Sequence, residues 1–353
     1  MSDPATSTRF RASNVTVVVS NYNGLAILPD CLASIQRLVA PPGELLVIDD
    51  GSRDGSPGLV RERFPSIRVI ELGENSGGIL NKVRNRALAE AKTDFVMLVD
   101  NDVLLKDDCI EQLLHGMATL PQAAVCLPRT LYERDPSMIY QDGQILHYVG
   151  TSLARNRNFP VAQADNTPRL TIGWGVQLID KHQAALVGNF SLGYVIGWGD
   201  DAEFNHKMNL LGHFCYHIPA AIVYHKRVQG AKRYYASVRN RWRFILEHYQ
   251  TRTILLCAPA LAVYETSLLL FLAKKRELRH YRAGMGYVLA NLGPIREVRR
   301  RIQSQRVVRD RDVMTSGDIF IAPEYVDSRV LAFGYKLMNA FLNAYWTLVR
   351  RVL

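Results

Sequence analysis

Two aspartates stand one residue apart at the end of an apolar run, Leu98-Val99-Asp100-Asn101-Asp102. Side chains alternate along a β-strand, so residues i and i+2 point the same way and can reach one target beyond the strand end. Carboxylate oxygens are hard ligands that suit Mg²⁺ or Mn²⁺, and such an ion can carry a diphosphate. A lone Asp-x-Asp is also typical of a polar turn. The metal-site interpretation is favoured over a turn only if other polar clusters lie at the same sheet edge.

Four apolar runs in the first 125 residues are predicted strands, and segments of helical period follow them. The strands are Val15–Ser20, Leu45–Asp50, Ile67–Leu72 and Phe95–Asp100, and the helices are Ala26–Leu38, Leu59–Phe64, Ile79–Ala91 and Asp107–Leu120. Near-continuous apolar strands that alternate with helices predict an α/β fold, with a mostly parallel sheet and helices on both faces. Such sheets bind ligands beyond the carboxyl ends of their strands.

Polar residues gather at these predicted strand ends. The first strand runs into Ser20–Gly24, the second into Asp49–Ser52, and the third into Glu74–Gly78 and a helix that carries Arg84. Each cluster could form a turn by itself, but four clusters at successive strand ends indicate a shared site. The sequence has no G-x-G-x-x-G after the first strand and no Walker A motif, which argues against a dinucleotide oxidoreductase and a P-loop NTPase.

Two later segments hold further candidates for chemistry. Gly197-Trp198-Gly199 precedes the acids Asp200-Asp201-Ala202-Glu203, which open a predicted helix that runs to about Leu211. Acids in a first helical turn ordinarily cap the helix and interact with its dipole. Downstream, Ile218–His225 is a predicted strand that ends on a histidine, which could be a metal ligand or a hydrogen-bonded surface group.

Composition and charge restrict the class of protein. The 353 residues allow one large domain with an appendage, and 48% hydrophobic with 22% charged residues exclude a disordered chain. The five cysteines are odd in number and scattered, which predicts a reducing compartment and no structural zinc. The first dozen residues contain no apolar run, so no export signal is expected.

The net charge of +10 arises entirely in the last third of the chain. From Lys226 onward there are 24 Lys and Arg against 9 Asp and Glu. Ile254–Ala273 is about as long as a bilayer span, but Pro259 and Glu265 interrupt it, which favours an interfacial or re-entrant helix. Phe333–Leu353 again combines apolar and basic residues, a pairing that suits an anionic leaflet. A solvated basic face or a nucleic-acid surface are the alternatives for such a charge excess.

Taken in order, these motifs resemble the inverting GT-A glycosyltransferases of family 2, and the start of the tail resembles rhamnosyltransferase-like bacterial members. The segments that carry the resemblance are VVVSNYNG, VIDDGSRDGS, Asn-Ser-Gly-Gly followed by VRNRAL, and LVDNDV, and the resemblance extends roughly over Val15 to Asn240. It implies a GT-A nucleotide-sugar-binding catalytic domain at residues 1–228. A basic and apolar helical region, associated with a membrane, would follow at residues 229–353, and Pro128–Gly173 would form hairpins and loops on the acceptor side.

The resemblance also implies roles for individual residues. The residues expected to bind the donor are Ser20, Tyr22, Asp49, Asp50, Arg84 and Asp100; the ligands expected for Mg²⁺ or Mn²⁺ are Asp100, Asp102 and His225. Tyr22 and Asp50 would hold the nucleotide base, and Arg84 would meet the diphosphate unless it is an exposed helix residue. Family members commonly have Glu-Asp-x-Asp where this chain has Asp200-Asp201-Ala202-Glu203. The general base is therefore expected at the second acid, Asp201, with Glu203 and Asp200 behind it.

These expectations define one function and two alternatives. The function is metal-dependent, inverting transfer of a sugar from a nucleotide-sugar to a hydroxyl of a glycan acceptor. The tail favours a polyprenyl-linked acceptor, cell-surface polysaccharide assembly, and a place at the cytoplasmic face of the cell membrane as a peripheral or monotopic protein, with no nucleic acid as partner. The first alternative is a membrane-surface scaffold or sugar-nucleotide-binding protein with a decayed site. The second, a nucleotidyltransferase, ranks lower because Ser20–Gly24 replaces its usual glycine- and arginine-rich loop.

Overall fold

The strands and helices of this chain are defined by a computed structural model that describes residues 9–173, 175–226, 233–319 and 329–353. The strands are β1 Val15–Asn21, β2 Glu44–Asp49, β3 Arg68–Glu71, β4 Phe95–Asp100, β5 Val103–Leu105, β6 Ala123–Tyr132, β7 Ile139–Gln141, β8 Gln144–His147, β9 Thr151–Ala154, β10 Arg169–Leu170, β11 Gln177–Asp180, β12 Phe214–His225 and β13 Met314–Thr315. The helices are α1 Leu28–Gln36, α2 Ser56–Arg63, α3 Asn81–Glu90, α4 Cys109–Thr119, α5 Lys181–Leu186, α6 Ala202–Leu210, α7 Tyr234–His248, α8 Thr251–Lys274, α9 Leu278–Ala290, α10 Leu292–Gln305, α11 Asp310–Val313 and α12 Arg329–Val349. Two short 3-10 turns occupy Ala12–Asn14 and Val161–Gln163.

The main sheet is mostly parallel, as predicted. Its order is β10-β12-β6-β11-β4-β1-β2-β3, with β5 beside β12 and β7 beside β6. Strands β1 to β4 pair in parallel, so Ser20 at the end of β1 lies directly beside Asp100 at the end of β4. The antiparallel strand β11 separates β4 from β6 and was not predicted.

Helices cover both faces of this sheet because the strands alternate their apolar side chains. Val17 and Val19 join the buried cluster that α1 and α4 cover. Val18, between them, joins the opposite cluster with α3 and α6. Each central strand is therefore apolar on both faces, which explains its near-continuous apolar sequence. The predicted layering is confirmed.

The prediction of hairpins and loops for Pro128–Gly173 is only partly right. The central strand β6 continues through Tyr132. Two short strands of the segment also join the main sheet, β7 beside β6 and β10 beside β12. Two further strands of this segment, β8 and β9, form a separate sheet in the order β13-β8-β9. The tail residue Met314 pairs with Leu146 in this small sheet, so the tail contributes to its construction.

The described part of the tail is mostly helical from Tyr234 onward, as predicted, and it packs on the small sheet. A third buried cluster joins Tyr148 to Phe244, Leu261 and Trp346. The rings of Tyr148 and Trp346 stack with their centroids 4.8 Å apart. The predicted boundary between residues 228 and 229 lies outside the described residues.

Helix α8 contains the predicted apolar segment. Within the described part of the chain it is the one helix long and apolar enough to cross a membrane, and 17% of its most apolar window is buried. Glu265, which interrupts the apolar run, pairs with Arg241 of α7 and accepts a hydrogen bond from Trp242 Nε1 at 3.0 Å. The acid therefore faces protein, while Leu255 on the outer side is 69% exposed.

Candidate active site

Asp102 and His225 are brought together by the pairing of β5 with β12. This antiparallel pair places His225 opposite Val103, the residue that follows Asp102. His225 Nε2 lies 3.8 Å from Asp102 Oδ2, and both side chains are mostly buried. On its other side, the His225 ring stacks on Tyr140 with centroids 4.7 Å apart. Two of the predicted metal ligands therefore lie side by side, although 122 residues of sequence separate them.

The spacing of these two groups fits ligands of one divalent ion. At 3.8 Å the contact is too long for a hydrogen bond. Ligands about 2.1 Å from an octahedral ion are roughly 3 to 4 Å apart, depending on their angle at the ion. The buried Nδ1 of His225 has no hydrogen-bond partner among the described residues. No group of three or more His, Cys, Asp or Glu in that part of the chain could hold a metal, so further ligands would have to be water or a diphosphate.

Asp100 lies at the buried end of β4, close to the other charged groups of the site. Burial raises the pKa of its carboxyl, and the neighbouring Asp102 adds to this effect, while Arg84 and His225 oppose it. A Cβ atom added at Gly175 would lie 3.1 Å from Asp100 Oδ2, in a backbone with φ of +50°. Only glycine fits easily here, because both the space and the dihedral angle disfavour a side chain.

Gly175 also connects Asp100 with the predicted base. Its N–H donates to Asp201 Oδ2 at 3.0 Å. Sequence reasoning missed this glycine, although a signal was present: the tetrapeptide Ile-Gly-Trp-Gly occurs at residues 172–175 and again at residues 196–199. The first copy ends on Gly175, which contacts Asp201, and the second copy is followed directly by Asp200 and Asp201.

Asp201 combines the two roles that its position suggested. It is the N-cap of α6, where its Oδ1 accepts a hydrogen bond from the N–H of Ala202 at 2.7 Å. It also lines the cleft that contains Asp100. The bonds from Ala202 and Gly175 use one lone pair on each oxygen, so the carboxylate keeps the capacity to accept a proton from a molecule in the cleft.

Asp200 forms a buried ion pair with Arg84 at the acidic end of the cleft. Arg84 Nη1 donates to Asp200 Oδ2 at 2.9 Å, and both side chains are buried. The alternative of an exposed helix residue is therefore wrong for Arg84. Burial raises the pKa of Asp200 to about 6, against the opposite influence of Arg84. Asn81 Nδ2 donates to the Asp200 carbonyl at 2.9 Å, which fixes the backbone as well.

Glu203 points away from the cleft into a buried ion-pair cluster. Its Oε1 lies 3.4 Å from Lys207 Nζ and 3.3 Å from His248 Nε2. Burial raises the pKa of Glu203, but these two partners outweigh it and bring the pKa to about 2. The residue is absent from the lining of the cleft. This geometry makes Glu203 a link between α6 and α7.

The loop that precedes the acids is held by the tail. Asn240 of α7 is completely buried, and its Nδ2 donates to the carbonyls of Val195 at 2.8 Å and Trp198 at 2.9 Å. Sequence reasoning did not assign this role to Asn240. Helix α7 therefore helps to fix the backbone that leads to Asp201.

The predicted donor-binding residues lie at the ends of β1 and β2. Asp49 accepts hydrogen bonds from Asn21 Nδ2 at 2.7 Å and from the Ser52 N–H at 2.8 Å. Asp50 accepts from the N–H and hydroxyl of Ser76 at 2.7 and 2.8 Å, which ties the loop after β3 to β2. Ser20 is half-buried beside Asp100, whereas Tyr22 leaves 53% of its surface exposed and can pack on a planar ring.

A cleft of about 760 Å³ connects the acids with the small sheet. The acidic end of the cleft is lined by Leu80, Arg84, Asp100, Gly175 and Ile196–Asp201. The opposite end, which we call the sheet end, is lined by Gln141, Gln144, Thr151–Ala154, Asn156–Phe159, Asp318 and Ile319. Arg233 completes the lining. Sequence reasoning assigned Pro128–Gly173 to the acceptor side but named individual residues only at the acidic end.

Comparison with known proteins gives a consistent result. Residues 16–172 match the family model described as Glycosyl transferase family 2. The Bacillus subtilis protein EpsH is 28% identical over 148 residues, which are 38% of this chain and 41% of that protein. The N-acetylglucosaminyl-diphospho-decaprenol L-rhamnosyltransferase of Mycobacterium tuberculosis is 25% identical over 246 residues, 62% of this chain and 77% of that protein. The chain thus spans less than half of EpsH but most of the second relative.

The crystal structure of GalNAc-T7 with UDP, GalNAc and Mn²⁺ resembles this chain in fold. Its TM-score is 0.56 with 15% sequence identity, and the match covers 79% of this chain and 57% of that one. At this identity the similarity shows the fold alone. Together with the family match, it establishes a GT-A-like α/β fold, in which a mostly parallel sheet is followed by a helical C-terminal region.

Proposed function

We propose that this chain, whose residues 16–172 match the Glycosyl transferase family 2 model, is a metal-dependent, inverting glycosyltransferase with a lipid-linked glycan acceptor. The observation that carries this proposal is the arrangement of Asp102 and His225 as a candidate ion site near Asp201, which lines the cleft with a free lone pair. Nucleotide-sugar transfer needs both parts, one to neutralise the leaving group and one to activate the acceptor.

The ion site addresses the leaving group. As the anomeric bond stretches, the nucleoside diphosphate gains negative charge, and a bound Mg²⁺ or Mn²⁺ would stabilise that charge as a Lewis acid. Asp102 and His225 would hold the ion together with water or the diphosphate, and Asp100 at the end of β4 would bind the ribose. The donor's base would lie against Tyr22 and Asp50, at the neighbouring strand ends.

Asp201 addresses the acceptor. An alcohol is a poor nucleophile at neutral pH and needs a base within hydrogen-bond reach. The carboxylate of Asp201 is positioned by Gly175 and Ala202 and faces the cleft. A single in-line displacement with this base on the far side of the sugar would invert the anomeric centre. Asp200 and Glu203 would support this arrangement from their buried ion pairs.

The lipid-linked acceptor and the place at a membrane are supported by the outer surface of the tail. Helix α12 exposes Phe333 and Leu337, which are 69% and 61% exposed, and α8 exposes Leu255 and Leu270. Tyr345 of α12 donates to the carbonyl of Leu256 at 2.7 Å, so the two helices lie side by side. Apolar faces of this kind among basic residues suit the interface of an anionic leaflet. The Mycobacterium tuberculosis relative is named for a decaprenol-linked acceptor.

The test is a ligand screen of the purified full-length chain. Thermal shift is measured with UDP-, GDP- and dTDP-sugars, each with Mn²⁺ and with EDTA. We expect one nucleotide class to raise the melting temperature only in the presence of metal, because a ligand that binds the folded state stabilises it by mass action. Release of nucleoside diphosphate on addition of membrane lipid extract would then demonstrate transfer. Binding without release would instead favour a sugar-nucleotide-binding protein, and no binding of any nucleotide would refute the proposal.

A further inference from the structure

The sheet end of the cleft is built on α12, a helix that exposes several large apolar side chains. Ile319, which lines this end, donates its N–H to Asn339 Oδ1 of α12 at 3.1 Å. Asp318 beside it accepts from Asn343 Nδ2 at 3.0 Å. Phe333 lies on the outer side of the same helix and is 69% exposed. A molecule anchored in a lipid surface against α12 would therefore reach this end of the cleft first.

Arg157 provides a positive charge at the sheet end. Its guanidinium carbon lies 5.1 Å from the centroid of the Tyr140 ring, and that ring stacks on His225. The loop around it is fixed on both sides, because Asn156 Nδ2 donates to Asp142 at 2.6 Å and the Asn158 N–H donates to a carbonyl at 2.8 Å. Throughout the described ranges, no acid lies within ion-pair distance of Arg157.

The other cations of the cleft lie near its acidic end. Arg84 is already paired with the buried Asp200. Arg233 packs beside Gly197, where its Cδ would lie 3.7 Å from an added Cβ. Arg157 differs from Arg84 because it has no carboxylate partner among the residues that the structure describes, and from Arg233 because it belongs to the sheet end. An uncompensated guanidinium in a cleft is suited to a phosphate, which it can bind through two parallel hydrogen bonds.

We propose that Arg157 binds the diphosphate that joins the acceptor glycan to its lipid. This inference rests on the proposed function and adds the chemical group by which the acceptor is recognised. The apolar chain would lie along α12, the diphosphate at Arg157, and the glycan would extend along the cleft toward Asp201. Acceptor recognition would thus depend on a charge outside the donor site.

The test uses geranyl diphosphate as a short acceptor probe. Calorimetric titrations are run on the full chain with Mn²⁺ and a saturating nucleoside diphosphate, chosen from UDP, GDP and dTDP by thermal shift. With the donor site filled, we expect the wild type to bind the probe and Arg157→Gln to weaken binding by about tenfold or more, since hydrogen bonds to charged groups contribute that much. Arg157→Lys should lose less, because it keeps the charge but not the paired geometry.

Arg233→Gln is the matched control, because it removes a second cleft cation near the other end. It should change probe affinity by less than about threefold, and Arg157→Gln should leave nucleoside diphosphate affinity unchanged. The inference is overturned if the wild type does not bind the probe, if Arg157→Gln binds it as well as the wild type, or if that variant loses nucleotide affinity instead. The last result would assign Arg157 to the donor diphosphate. Failure of the proposed function would be distinct, because then no nucleotide would bind at all.

Discussion

Replacing Asp201 and Glu203 one at a time should separate catalysis from stability. Asp201→Asn removes the cleft-lining carboxylate at the start of α6, which keeps lone pairs that can accept a proton. Loss of a general base lowers a rate by ~100-fold or more, which corresponds to about 2.7 kcal/mol in the activation free energy. The metal and donor groups are untouched, so donor affinity should stay within a few-fold. The new amide can keep the bond from Ala202 but not the one from Gly175, so we expect a loss of about 1–3 kcal/mol in stability.

Glu203→Gln should have the opposite effect. It removes the negative charge between Lys207 and His248, both of which are buried, and leaves Lys207 only the carbonyl of Asn189 at 2.8 Å. Breaking a buried ion pair from one side costs about 3–5 kcal/mol. In a chain of 353 residues each kcal/mol shifts the melting temperature by roughly 1–2 °C. We therefore expect a clearly lower melting temperature with a catalytic rate within a few-fold of wild type.

The difference in stability should also depend on pH. The folded-state pKa of Glu203 is about 2, well below its ordinary value near 4.3 in an unfolded chain. A depressed carboxyl pKa stabilises the folded state above the unfolded value and loses that effect as pH falls through the folded value. The gap in melting temperature between wild type and Glu203→Gln should be full at pH 7 and should shrink from about pH 4 downward.

The assays are calorimetric melting and transfer of radiolabelled sugar from the donor identified by thermal shift to a membrane lipid extract. If Glu203→Gln stops transfer while its donor affinity is normal, and Asp201→Asn still turns over, the base has moved along the helix and the assignment is refuted. If both variants transfer at the wild-type rate, Asp201 is only a helix cap.

Three further predictions concern the metal site, the tail surface and the loop before the acids. Asp102→Asn should abolish transfer and metal-dependent nucleotide binding with an unchanged melting temperature, whereas His225→Ala should weaken metal dependence more mildly; normal turnover in the first variant would exclude the site. Phe333→Gln should lower affinity for anionic vesicles by about tenfold, because apolar burial in the membrane is lost. Val39→Gln, which changes an exposed residue outside the tail, should leave this affinity unchanged. Added salt should release the wild type only in part, because salt screens charges but not apolar contacts. Asn240→Ala should reduce the catalytic rate per donor-binding molecule by about tenfold at unchanged donor KM, because it frees two loop carbonyls, and a wild-type rate per donor-binding molecule would refute this role.

The donor half of the site could be predicted because its residues follow long strands of one sheet. Periodicity locates such strands, and parallel pairing brings their carboxyl ends to one edge, so Ser20 and Asp100 had to be neighbours. The position of Arg84 could not be predicted in the same way. Helix α3 buries Asn81 and Arg84 beside apolar residues. Its sequence pattern does not show that the partner of Arg84 is a buried aspartate, Asp200, which lies 116 residues further along the chain.

The acceptor half gave little signal because its elements are short and distant in sequence. Strands β8 and β9 have four residues each, too few for a clear period, and β13 has two. The contact that seats this sheet on α12, from the Tyr148 hydroxyl to the Leu342 carbonyl at 2.8 Å, joins residues 194 positions apart. Likewise, the sequence around Glu203 gives no indication of His248 as its partner.

The tail therefore cannot be treated as an anchor attached to a complete enzyme. Asn240 holds the loop that leads to Asp201, and Asn339 holds Ile319 at the opposite end of the cleft. Truncation from about Ile254 would remove α12 and the wall residues 318 and 319, so lost activity in such a variant would not report on membrane binding. Substitutions on the outer face, such as Phe333→Gln, leave both walls in place. Only variants of this kind can separate attachment to a membrane from the construction of the cleft.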